Sequence, residues 1–171
     1  MTALATHRLK RLGERDRDDA LAKAEQYRAL NEPEEAESIC RDVLDVAPDN
    51  QRALRLLGLA LTDRFHVEWT GVIDEALAVF RRLPSLYERV YYEGVAWERC
   101  AKAQLARGLV HNAADSLERA MDLFAEAEAV GPKDVPEPIL RWNRCVRFVA
   151  QHPELVDARE RPRNHEFQHG D

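Results

Sequence analysis

Apolar residues in this chain recur every three or four positions, in blocks separated by prolines. That pattern leaves room for little besides packed α-helices. Ala36, Ile39, Cys40, Val43 and Leu44 form one such stripe, and Ala53, Leu54, Leu57, Gly58 and Leu61 form the next. Such steps place side chains on one face of a 3.6-residue helix, whereas a strand would need alternation. Pro33, Pro48, Pro84, Pro132, Pro136 and Pro153 all fall between stripes. A proline there can start or stop a helix without breaking one. With only 7 glycines in 171 residues, 33% charged and 45% hydrophobic residues, the composition suits a helical chain able to bury a continuous core.

The stripes pair. Leu21, Ala24, Tyr27 and Arg28 precede Asn31-Glu32-Pro33 and the Ala36 stripe, and Pro48-Asp49-Asn50 then supplies a turn and an N-cap for the next helix. Residues 17–50 have the length of one tetratricopeptide repeat, about 34 residues. With Tyr27, Ala36, Cys40, Val43 and Pro48 at matching positions, the segment resembles that family's helix-turn-helix unit. Leu54, Leu57, Gly58 and Leu61 continue the match into a second unit, so it is good over residues 17–62.

Downstream the pattern diverges. A longer loop is expected at Asp63–Gly71, after which Ala76, Phe80 and Pro84 resume the pattern. A third unit carries Val90, Gly94, Trp97, Ala120, Phe124, Ala127 and Pro132. Here Gly94 and Ala120 stand about fourteen residues too far apart, or two heptads, so lengthening both helices keeps their faces in register. Long helices are therefore expected near 85–107 and 110–130, turning at Gly108. Ile139, Trp142, Cys145, Val146 and Val149 read as the capping helix that such an array needs at its end.

The resemblance implies an all-α helix-turn-helix repeat solenoid: about three pairs plus a cap, seven helices in all. The expected organisation is a flexible segment at 1–15, a repeat domain at 16–152 and a charged mobile tail at 153–171.

Charge and cysteine usage narrow the function. The formal net charge of −6 provides no basic stripe for nucleic acid. No apolar run reaches the length of a signal peptide or a membrane span, so a cytoplasmic location is expected. Arg outnumbers Lys 21 to 4, which reads as a bacterial-like compositional bias. Cys40, Cys100 and Cys145 are widely spaced and odd in number, which suits buried thiols in a reducing compartment rather than a disulfide framework.

His165-Glu166-Phe167-Gln168-His169 matches H-E-x-x-H, which binds catalytic zinc only on a helix and with a third ligand. Only Gly170 and Asp171 follow, so the expectation is no catalytic site and no cofactor. His165 and His169 remain as an alternative, metal-handling pair. No phosphate loop or nucleophile elbow is present.

Binding fits the residues better. In tetratricopeptide arrays the first helix of each pair lines a groove. The resemblance carries that role to Asp18, Leu21, Glu25 and Arg28, then to Arg52, Arg55, Leu59 and Thr62, and then to Glu88, Tyr91, Val95 and Glu98. The positions of the terminal-carboxylate clamp known in one subclass hold Leu21, Glu25, Leu56, Glu88 and Tyr92, and none matches it. On the capping helix Arg141, Arg144 and Arg147 form a basic ridge. The expected partner is a protein or peptide with acidic and apolar residues, contacted through Arg28, Arg52, Arg55, Leu59, Tyr91, Arg141 and Arg144. Neither nucleic acid nor membrane is expected. A homo-oligomer through the 85–130 hairpin is a second alternative, with Leu105, Leu109, Val110 and Leu117 as its apolar stripe.

Overall fold

A computed structural model of the chain describes residues 7–160, and its regular structure there is entirely helical. These residues divide at Ser85/Leu86 into two compact units.

The first unit holds a short 3₁₀ turn (Glu14–Asp16) and helices α1 (Arg17–Ala29), α2 (Pro33–Val46), α3 (Gln51–Asp63) and α4 (Val72–Arg81). Each helix packs on the next, and α1 also packs on α3. The punctuation works as its chemistry dictates. Pro33 occupies the first turn of α2, where a missing N–H costs nothing, and the Asn50 side chain caps α3 by accepting from the Ala53 N–H at 2.9 Å. The expected loop after Asp63 is present, and Phe65 within it is buried at 1% exposure. Leu21, Ala24, Ala36, Cys40, Leu54, Leu61 and Phe80 make the core.

Close approach of α3 and α4 depends on a missing side chain. A Cβ built on Gly58 would sit 2.2 Å from the Phe80 ring, so the ring occupies the space that any other residue would need.

The second unit holds α5 (Leu86–Ala106), α6 (Val110–Val130), α7 (Glu137–Gln151) and α8 (Glu154–Glu160). The two long helices fall where the heptad argument puts them. They form a hairpin whose turn runs through Gly108 at φ 76°, a left-handed conformation that glycine adopts without steric cost. The device seen at Gly58 recurs, since a Cβ on Gly94 would lie 2.7 Å from the Phe124 ring. Both α7 and α8 pack on α6.

Three expectations need correction. Residues 154–160 do not run as an unstructured tail: they form α8, an eighth helix, with Leu155 buried against α6. Pro153 starts it, and the apolar pair Leu155-Val156 gives it one residue to bury. The capping stripe on α7 is only partly covered. Cys145 is buried, but Ile139, Trp142 and Val146 stay exposed, because the line facing the core runs through Pro138 and Cys145. The apolar stripe proposed for self-association is not continuous either. Leu117 is 2% exposed, on the side of α6 that α7 and α8 approach, while Leu109 is exposed at the turn.

Among the described residues, no helix is long and apolar enough to cross a membrane.

Candidate functional site

Four residues of α5 (Tyr87, Tyr91, Glu98 and Lys102) fall at steps of four, seven and four, so they share one stripe along the helix. On α7, Arg141, Arg144 and Phe148 likewise share one flank, beside the buried Pro138 and Cys145. The fold brings these two stripes together.

Glu98 is the pivot. Its side chain is fully buried, and both carboxylate oxygens are occupied. The Lys102 ammonium, one turn on, donates to Oε1, and Arg141 Nη1 donates to Oε2 at 3.1 Å. Tyr91 lines the same space as Arg141. Burial works against the Arg141 cation, but its interactions with Tyr91 and Glu98 outweigh it and hold its pKa above the usual arginine value.

Aromatic rings brace both sides. Tyr91 stacks on Tyr87 at 5.9 Å and meets Tyr92 edge-on at 5.2 Å and Phe124 at 6.0 Å. The Phe148 ring lies 5.6 Å from the Lys102 ammonium and 5.9 Å from the Arg144 guanidinium. Between the helices lies an open, shallow cavity of about 390 Å³, lined by Tyr91, Glu98, Lys102 and Arg141, with Glu137, Leu140 and Arg144. Three of the residues expected to meet a partner (Tyr91, Arg141 and Arg144) therefore share one cavity.

Four residues assigned by resemblance to the groove surface are instead interior, since Leu21, Thr62, Val95 and Glu98 are all buried. Lys102 was missed. The four-residue spacing of Glu98 and Lys102 is an ordinary helix pair in sequence, and nothing local says that its carboxylate is buried.

In the first unit, Arg28, Arg52, Arg55 and Leu59 lie on α1 and α3. Arg28 and Arg52 already have carboxylate partners there. Arg28 Nε lies 2.7 Å from Asp63 Oδ2, and Arg52 grips both oxygens of Glu25 at 3.0 Å. The hydrogen bond from Arg52 lowers the Glu25 pKa and raises that of Arg52. The pair is about half exposed, so its contribution to stability is small. Leu59 and Arg55 are half-buried.

The three thiols are buried and unbridged. Desolvation pushes Cys40 and Cys145 up to about 12 and Cys100 up to about 11, so none has the lowered pKa of a reactive cysteine. His165 and His169 lie outside the described residues. Among the described residues no three His, Cys, Asp or Glu side chains are grouped to hold a metal ion.

The chain matches no family model, and no curated protein matches it.

Proposed function

We propose that this protein is an interaction module, a tetratricopeptide-like array whose ligand-facing surface includes the cavity between α5 and α7, and that its partner is a protein or peptide. The observation that carries the reading is the convergence of Tyr91, Arg141 and Arg144, from two helices, on one cavity of about 390 Å³. Rigid aromatics beside arginine are the side chains that dominate binding energy at protein interfaces. Here Arg141 is held in advance by Glu98, and Tyr91 by Tyr87, which lowers the ordering cost of binding. The repeat reading draws support from the packing of Gly58 on Phe80 and Gly94 on Phe124, one device used in both units. Arg28 and Arg52, paired with Asp63 and Glu25, are the weaker part of the expected surface, because a partner must compete with carboxylates already in place.

The test is a selection of displayed random peptides on the intact protein. Enrichment of related sequences, lost with a Tyr91→Ala, Arg144→Ala double variant that keeps its helical circular dichroism, is the expected result. Failure to enrich any sequence above an empty-surface control would refute the reading.

A further inference from the structure

Resting on that reading, we infer that the cavity between α5 and α7 receives a single carboxylate side chain of the partner peptide, flanked by an apolar residue, and selects it over a phosphate.

Charge selects the ligand. Lys102, Arg141 and Arg144 bring three cations to the cavity, and Glu98 and Glu137 bring two carboxylates. Among the described residues that line it, the positive charges exceed the negative by one. A monoanion neutralises that excess, while a phosphate dianion would leave excess negative charge beside Glu98 and Glu137.

Donors are available for that anion. Glu98 takes one hydrogen bond from the three-donor ammonium of Lys102 and one from the five-donor guanidinium of Arg141. Both cations remain about one-third exposed, so their other N–H groups can meet a ligand. The buried carboxylate thus holds two cations side by side, which would otherwise repel. Arg144 stands at the exposed rim, over Phe148.

The apolar preference comes from the walls. Leu140 is 61% exposed at the cavity, and the Tyr91 ring faces it from α5. An aliphatic side chain beside the acidic one would cover both, and shielding from water strengthens the charged contacts.

The probe is the tightest peptide from the display selection, synthesised with capped ends and a fluorophore, together with two analogues. In one analogue its acidic residue is glutamine, and in the other it is phosphoserine. Fluorescence anisotropy should show binding weakened about tenfold or more by glutamine, the size expected for losing a charge-assisted hydrogen bond. The phosphoserine analogue should also bind more weakly than the carboxylate. On the protein side, Arg144→Gln should weaken the acidic probe at least about fivefold, Arg144→Lys should restore most of it, and Lys133→Gln, which removes a charge that does not line the cavity, should change it less than about twofold.

Equal affinity for the acidic and glutamine probes, or insensitivity to Arg144→Gln, would overturn the carboxylate assignment while leaving the interaction module standing. Tighter binding of phosphoserine would reassign the cavity to phosphate. A selection that yields no peptide would remove the reading beneath it as well.

Discussion

Removing Arg141 should destabilise the second unit far more than removing the carboxylate it binds. The structure makes this asymmetric. Glu98 is fully buried, whereas Arg141 and Lys102 are each about one-third exposed. In Arg141→Met the guanidinium goes, Oε2 of Glu98 loses its donor, and the fully buried charge cannot reach water without local unpacking around it. Breaking a buried ion pair this way typically costs about 3–5 kcal/mol. Lys102 still holds Oε1, so roughly 2–4 kcal/mol is expected here. In Glu98→Met the two orphaned cations can swing into solvent, and an apolar side chain of similar size fills the interior. That change is expected within about 1 kcal/mol of wild type. The double variant should recover most of the loss from Arg141→Met, leaving a coupling of at least about 1.5 kcal/mol.

The assay is urea unfolding, monitored by tryptophan fluorescence and by amide exchange along α5 and α7. Trp97 and Trp142 report on the second unit. Against a total stability of about 5–15 kcal/mol, the single loss is easily measured. Equal costs for the two single variants, or a larger cost for Glu98→Met, would refute the view that the carboxylate is the trapped partner.

Gly58→Ala and Gly94→Ala should each destabilise by about 1–3 kcal/mol despite a helix-propensity gain near 1 kcal/mol, because the new methyl would overlap a buried phenylalanine ring; thermal unfolding checks this. Asn50→Ala should lower stability by about 1 kcal/mol through loss of the α3 cap, read as a shift in the urea midpoint with an unchanged slope. The cysteines give a pH prediction. Their folded pKa values are raised to about 11 or 12 from an ordinary value near 9, so the folded chain keeps protons that the unfolded chain releases. Their contribution to stability is intact below pH 9 and lost progressively as the pH rises towards 12, so alkaline titration should lower the unfolding midpoint across that window. At pH 8 the native thiols should resist a disulfide reagent that labels all three in urea.

Local chemistry determined most of the secondary structure in advance. The proline spacing bounded α2, Asn50 marked the start of α3, and Gly108 marked the turn between α5 and α6. These are properties of neighbouring residues, and a short stretch of sequence carries them in full. The partial burial of α7 was not legible. Its apolar stripe, with Ile139, Trp142 and Val146, reads like any core-facing face, and only the packing against α6 decided that Pro138 and Cys145 face inward. Nor was α8, whose seven residues are too short to signal a helix and are held by the burial of Leu155.

The same division runs through the candidate site. Tyr91, Arg141 and Arg144 could be named from sequence as residues suited to recognition. That they meet around a buried Glu98, and that Arg28 and Arg52 are already paired with Asp63 and Glu25, is information carried by distances between residues some 27 to 43 positions apart. Periodicity and capping specify helices because they act within a few residues. Charge pairing and burial depend on which helix faces which, and only the tertiary structure decides that.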